Sequence, residues 1–592
     1  MSITTATAAR QLFVLGCSQT KRKTSLQLPA ITRYDGPLFR VLRTFLRKHL
    51  WPENLSVAVL SAKHGLIGGL TGIEDYDDRL TPARAGQLRE GVTKELGVLL
   101  QQHEGAELFM GRGYLEAIHL EALGEGAGRL RFIEGGIGRK LHQLSTRLSS
   151  LGAAARRPVA PMPHRSRPLY FLPDWDDFLD IDYNFETDRL SSPNRKGRNE
   201  AHTIQLMRPQ RLCDGVLVSL AQHLGTKGML KRIPKATPDS IAPRSVHEHF
   251  GLARDQWAFC DCGAFSYANQ AEPTISVEQA VAIYDLYGFD LGASVDHIPL
   301  QDIRQNGERI ILTEGERRQR VGLTRRNAEK FLRLAQKHEA RFQPVGVIQG
   351  LDASDFARQI RDYFDMGYHH LALGGLVPRG DSEVADIVRK VSATLDQLPT
   401  RPWIHLMGIF RPKLQDVFRR CGIDSFDSAT YFRKAWLRSD QNYLGVDGHW
   451  YAAIRVPPTY DARTWKRLQL SGQPREAILR LETDALGALR AYDRGDASLD
   501  VCLAAVTAYD ELLARAKGEE DRLIDAYRRT LEDRPWKRCS CPFCGHLGIE
   551  VLLFRGANRN KRRGAHNTWM LYQTLKNRAN SRMLNKNNVQ NF

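Results

Sequence analysis

The chain is 592 residues long, 42% hydrophobic and 26% charged, with a formal net charge of +18. That composition suits a soluble globular protein too long for one ordinary domain, so roughly two to four are expected. No apolar run reaches the ~18 residues that span a bilayer, Met1 to Arg10 lack a basic-then-apolar leader, and the basic excess favours a polyanionic partner; a cytoplasmic protein with no membrane association is expected.

Residues 1–150 read as a small α/β domain. Leu12-Phe13-Val14-Leu15-Gly16-Cys17 and Val57-Ala58-Val59-Leu60-Ser61 are short apolar runs of the kind that form buried strands. Helix-like segments at 38–50 and 82–102 alternate with them. Polar groups collect where the strands end: Cys17, Ser18, Lys21, Arg22, Ser61, Lys63 and His64, with Tyr76 and Asp77 in the loop beyond. In an open α/β sheet that edge is the usual ligand crevice, and a solvated loop edge would carry the same residues. The stretches 60–66 and 34–39 resemble a small domain of unassigned function that occurs alone or fused to nucleic-acid-modifying enzymes. Residues 151–168, with Pro158, Pro161 and Pro163, read as an extended linker.

From Leu169 to about Trp436, short apolar runs alternate with segments long enough for helices. The runs are 215–219, 257–260, 291–295, 344–348, 370–373, 403–408 and 423–426. Repeated βα units over 169–438 suit a TIM-type barrel, with a doubly wound sheet as the alternative. The strand ends are distinctive: Asp261-Cys262-Gly263-Ala264-Phe265, Asp296-His297, Gln349-Gly350, Gly374-Gly375-Leu376, Met407-Gly408 and Asp427. Carboxylates and an amide there can bond the edge of a heterocycle, and glycines let a flat ligand approach the backbone. Asp427, at the end of a strand, sits where barrel enzymes keep catalytic groups.

Residues 439–535 show helical periodicity and read as a helical insertion, followed by a zinc-binding basic subdomain at 536–592. Nine cysteines, odd in number and scattered, argue against a disulfide framework. Cys539, Cys541 and Cys544, however, form Cys-x-Cys-x2-Cys with His566 downstream. Three thiolates and one imidazole close a tetrahedral zinc site with no open position, which makes its role structural; His546 is the less favourable fourth ligand because it lies so near Cys544. No acidic residue follows Glu550, whereas Arg555, Arg559, Arg562 and Arg563 do, with Trp569 and Tyr572 interleaved. That pattern is expected of a phosphate-binding face.

These motifs together resemble the tRNA-guanine transglycosylase superfamily, over about the last seventy per cent of the chain. The match rests on Asp261-Cys262-Gly263-Ala264-Phe265, Ile348-Gln349-Gly350, Leu373-Gly374-Gly375-Leu376, Leu406-Met407-Gly408, Phe426-Asp427 before Arg433, and the cysteine motif. The stretch Phe554-Arg555-Gly556 through His566-Asn567 is similar to the branch, DpdA, that inserts 7-deazaguanine bases into DNA. The resemblance implies a TIM barrel with an appended structural zinc subdomain. It also implies Asp427 as nucleophile, Asp261 as the second essential carboxylate, and a base site of Asp296, Gln349, Gly350, Gly374, Gly375, Leu376, Met407 and Phe265. Arg433 matches an arginine placed near the substrate backbone. Cys262 and Ala264 stand where the family has Ser and Gly, and His297 follows Asp296 in place of Glu.

The expected reaction exchanges guanine in DNA for a preQ0-like base through a covalent glycosyl-aspartate. Cleaving an N-glycosidic bond builds positive charge at C1′, which a close carboxylate stabilises and captures. The partners expected are DNA and a 7-deazaguanine base, with room for an ATPase or another DNA-modification subunit. A tRNA-directed transglycosylase and a non-catalytic nucleic-acid-binding subunit are the alternatives.

Overall fold

The computed structural model describes residues 11–22, 28–49, 51–52, 54–151, 162, 167–174, 177–194, 198–221, 245–305, 307–437, 439–515 and 523–587, without the side chains of 47, 515 and 578–587. The expected linker, 151–168, lies outside these residues except at 151, 162, 167 and 168. The chain divides into two compact units, Met1–Pro163 with Val218–His249 and Trp257–His405, and His164–Leu217 with Phe250–Gln256 and Leu406–Phe592.

The N-terminal sheet consists of β1 (Gln11–Gly16), β2 (Leu55–Ser61), β3 (Gly65–Gly68), β4 (Gly105–Phe109) and β5 (Leu130–Phe132), in the order β3-β2-β1-β4-β5. β1 pairs in parallel with β2 and β4, β5 runs parallel to β4, and β3 returns antiparallel along β2. Alternate side chains feed two cores. Phe13, Leu15, Val57, Val59 and Phe109 pack with Phe39 and Leu42 of α1 (Pro37–Lys48) and Leu144 and Leu148 of α3 (Ile137–Ser150). Leu12, Val14, Ala58, Leu60 and Leu108 face Val92, Leu96 and Leu99 of α2 (Pro82–Gln102). Burial on both faces explains why Leu12–Gly16 of β1 and Val57–Leu60 of β2 are apolar throughout rather than alternating.

Eight further strands close a barrel: β6 (Leu169–Pro173), β7 (Gly215–Ser219), β8 (Trp257–Asp261), β9 (Leu291–Ala293), β10 (Gln343–Ile348), β11 (His370–Leu373), β12 (Trp403–Leu406) and β13 (Ser425–Asp427). Their circular order follows the chain, and β13 pairs in parallel with β6 in the register Asp427 to Phe171. The barrel, not the doubly wound sheet, is therefore the architecture. Three of the helices between strands begin on sequence-encoded caps. Ser276 caps α4 (Val277–Tyr287), Thr313 and Glu316 form a capping box at α5 (Glu314–Lys337), and Asp352 caps α6 (Ala353–Asp365). Asp381–Leu395 forms α7, and α8 (Thr430–Lys434) follows the last strand.

Beyond α8 the chain forms α9 (Arg475–Arg494), α10 (Leu499–Arg515), α11 (Ile524–Asp533) and the long α12 (Gly556–Asn587). Short strands β14 (Ile454–Arg455) and β15 (Leu553–Phe554) pair in parallel, so residues from 439–535 and 536–592 share one backbone ladder. Among the described residues, no helix is long and apolar enough to cross a membrane.

Candidate active site

In the first unit, β8 ends on Asp261, which is half-buried, and the next residue turns inward. Cys262 Sγ donates to Asp296 Oδ1 at 2.8 Å, and the Tyr267 hydroxyl lies 2.9 Å from both Cys262 Sγ and the Asp296 carbonyl oxygen. Gln349 Nε2 donates to Asp296 Oδ2 at 2.6 Å. Burial pushes the Asp296 carboxyl above the ordinary range, and the donors from Cys262 and Gln349 hold part of that rise back. Gln349 Oε1 is buried with no hydrogen-bond partner among the described residues. A Cβ on Gly374 would lie 2.3 Å from Gln349 Nε2, and one on Gly375 would lie 2.5 Å from Oε1. These two positions are glycine because the amide occupies the space a side chain would need.

Four of the expected base-site residues, Asp296, Gln349, Gly374 and Gly375, thus form one contact network. Leu376 is fully buried, and Phe265 is 55% exposed on the short turn Ala264–Ser266. Gly350 adjoins Gln349, and its carbonyl accepts from Arg379 Nη2 at 2.6 Å. Tyr267 escaped the sequence reading because a tyrosine in a turn carries no motif signal; only the fold brings it to Cys262.

In the second unit, β13 ends on Asp427, which is 6% exposed. Its Oδ1 accepts the Gly408 N–H at 2.7 Å, and Gly408 has φ 75°, a left-handed conformation that turns its N–H onto the carboxylate. Met407, beside it, is half-buried. Aromatic rings lead away from this strand: Phe426 to Phe410 at 5.2 Å, Phe410 to Tyr431 at 5.5 Å, and Tyr431 to Trp450 at 5.3 Å. Lys434 Nζ sits 4.1 Å from the Trp450 ring centre, and Arg433 is exposed on α8. Trp450 was not foreseen as part of a site, since its neighbours come from a different stretch of chain.

Cys539, Cys541, Cys544 and His566 converge as expected, all buried, and each Sγ lies 3.5 Å from His566 Nδ1. Ideal tetrahedral zinc with S at ~2.3 Å and N at ~2.0 Å requires S···N edges of about 3.5 Å, so the donor set fits the metal. His566 Nε2 bonds the Leu444 carbonyl at 2.8 Å, which leaves Nδ1 bare for ligation. The Tyr443 ring stacks on the imidazole at 4.1 Å. His546 is exposed and stands outside the cluster. A second group of possible ligands, Asp174, Asp177 and His202, is occupied internally, since Asp177 accepts from His202 Nδ1 at 2.6 Å and from Thr203.

The basic C-terminal face requires correction. Arg555, Arg559, Arg562 and Arg563 are all buried, at most 5% exposed. Arg555 pairs with Asp188 at 2.5 Å and Glu482 at 2.6 Å, and Arg559 pairs with Asp188 at 2.5 Å and Glu550 at 2.6 Å. Arg562 donates to Asn558 Oδ1 and the Asp180 carbonyl, and Arg563 to the carbonyls of Ala435, Val551 and Leu553. Each guanidinium fork is spent on fold contacts, so none of the four presents a face to phosphate. The side chains of Arg578, Arg582 and Lys586 lie outside the described residues.

The family model for queuine tRNA-ribosyltransferase matches residues 275–444. A DNA-guanine transglycosylase of Salmonella montevideo is 34% identical over 415 residues, 69% of this chain and 97% of the relative. A tRNA-guanine(15) transglycosylase of Methanococcus aeolicus is 23% identical over 248 residues, 42% of this chain and 35% of the relative. A relative matched over nearly its whole length, joined to a closed parallel barrel with carboxylates at its strand ends, decides the assignment: the chain belongs to the tRNA-guanine transglycosylase superfamily, in its DpdA-like branch, and is a guanine transglycosylase.

Proposed function

We propose that this protein exchanges guanine in DNA for a 7-deazaguanine base such as preQ0. The observation that carries this reading is the relative named for DNA, aligned over 97% of its length, against 35% for the one named for tRNA.

The proposed mechanism is a double displacement. Asp427 attacks C1′ of a deoxyguanosine nucleotide, the C1′–N9 bond breaks, and its electron pair leaves with guanine while a glycosyl ester forms. The Gly408 N–H orients the Asp427 carboxylate. Asp261 protonates the departing guanine and removes a proton from the incoming base, whose N9 then displaces Asp427. Asp296 and Gln349 read the edge of the base, Gly374, Gly375 and Leu376 bound its plane, and Phe265 and Met407 flank it. Cleavage inside a duplex requires extrusion of the nucleotide, at a few kcal/mol. The ring series ending at Trp450, with Lys434 and Arg433, offers stacking and charge for the strand beside it. Cys539, Cys541, Cys544 and His566 hold a structural zinc that supplies folding energy and no chemistry.

The test incubates the protein with labelled preQ0 or guanine and, separately, duplex DNA, single-stranded DNA and bulk tRNA. Label in DNA alone is the expected result. Label in tRNA alone would move the protein to the sister activity. Asp427→Asn should abolish incorporation and leave polymer binding nearly unchanged; retained exchange would remove Asp427 from the mechanism.

A further inference from the structure

The N-terminal sheet contains a cavity of about 290 Å³ that guanine exchange does not use. Gly16, Cys17 and Ser18 line it from the end of β1, and Met110 and Gly111 from the end of β4. The chain leaves β1 toward β2 on one side and later crosses to β4 on the other. The cavity therefore occupies the point where strand order reverses, the position at which open α/β sheets bind ligands.

Its charge is one-sided. Lys140 lines the cavity and is only 7% exposed, yet its ammonium has a single hydrogen bond, to the Met110 carbonyl at 2.6 Å. The centre of the Phe132 ring lies 5.0 Å from it, and no carboxylate pairs with it among the described residues. Buried charges are ordinarily paired, so this one lacks its anion. Arg112, exposed on the turn after β4, adds positive potential beside it.

Two helices reinforce the sign. The first turn of α1 (Pro37, Leu38, Phe39) and the start of α3 (Ile137) line the same cavity. Their N-caps, Gly36 and Gly136, provide no side-chain cap, and neither first turn holds an acidic residue. Both helix ends thus bring partial positive charge to a space already holding an ammonium without a carboxylate partner. Phe39 and Tyr114 supply a flat apolar wall.

We propose that this crevice binds a small phosphate monoester of nucleoside-monophosphate size, its phosphate on Lys140 and the start of α3 and its organic part against Phe39 and Tyr114. Its volume lies at the lower end of the ~300–1,000 Å³ of small-molecule sites. A phosphate matches the site better than a carboxylate because its oxygens can meet several donors at once.

Calorimetric titration of the full chain with AMP, GMP, guanosine and inorganic phosphate tests this. Binding of a nucleotide, displaced by inorganic phosphate and absent for guanosine, is expected. Lys140→Met should weaken it at least tenfold without lowering Tm, since the substitution removes an unpaired buried charge. If that variant fails to fold, Ile137→Asp decides, by placing a competing carboxylate at the start of α3; undiminished nucleotide binding there would overturn the site. No binding of either nucleotide or of phosphate at millimolar concentration would also overturn it. So would Lys140-dependent binding of a 5′-phosphorylated oligonucleotide with none of the small molecules. Because the readout is binding, loss of guanine exchange in Asp427→Asn leaves it unaffected.

Discussion

Gln349 and Asp296 are joined at 2.6 Å by the amide N–H of one and the carboxyl of the other, and this contact leaves Gln349 Oε1 as a buried acceptor without a partner among the described residues. An unmet buried acceptor costs roughly 1–3 kcal/mol, which a ligand N–H recovers. Gln349→Leu should therefore raise the KM for the incoming base about tenfold to a hundredfold, with a smaller change in kcat. Steady-state exchange at varied base concentration measures it, and an unchanged KM would mean that the base does not use this oxygen.

Asp296 carries a pH signature. Its folded pKa is raised, chiefly by burial, so its contribution to stability is present below the unfolded carboxylate value of about 3.9 and is lost as pH rises through the folded value. Asp296→Asn keeps the side chain neutral throughout. The variant should gain stability relative to the parent as pH rises above about 4, while losing base binding. Urea denaturation at a series of pH values gives the sign directly, and a parent that gains stability over the variant with rising pH would contradict it.

The metal cluster predicts one zinc per chain by elemental analysis. Cys541→Ala should lower stability by several kcal/mol, because the ion supplies folding energy to the surrounding loops. Activity per folded molecule should stay close to that of the parent. A variant with unchanged Tm and lost activity would instead make the metal catalytic.

Arg559 and Arg433 should separate cleanly. Arg559→Ala removes the cation shared by Asp188 and Glu550 and leaves the first with Arg555 and the second with Arg490, a loss of about 1.5–3 kcal/mol for the charged hydrogen bonds given up. Arg433→Ala, at an exposed side chain of α8, should change stability by no more than about 0.5 kcal/mol. It should instead reduce the slope of log affinity against log salt by about one for the nucleic acid substrate. Denaturation curves and a salt titration of binding report the two effects independently.

Much of this was legible because the informative residues are local. Each barrel strand is buried on both faces and so appears as an apolar run, and the chemistry sits immediately after it, as at Asp261 and Asp427. The cysteine motif is legible for the same reason. The buried arginines were misread because most of their partners lie far away in sequence: Asp188 precedes Arg559 by most of the barrel, Glu482 belongs to another helix, and Arg563 bonds the Ala435 carbonyl. A run of arginines without local acids looks like a phosphate face until the partners are known. The Tyr267–Cys262 contact and the approach of Lys434 to Trp450 were illegible on similar grounds, since each depends on how a turn folds back.

The C-terminal helix α12 holds the segment that follows the nucleophile. Arg563 bonds the Ala435 carbonyl, and Asn567 Nδ2 bonds the carbonyls of Tyr431 at 3.2 Å and Asn442 at 2.8 Å. During synthesis Asp427 therefore emerges well before the residues that anchor its surroundings have been made. A chain released early, or cut ahead of α12, would keep both carboxylates in its sequence and lack the brace behind one of them. The segment behind the nucleophile thus takes its shape from residues 125 to 136 positions further along the chain.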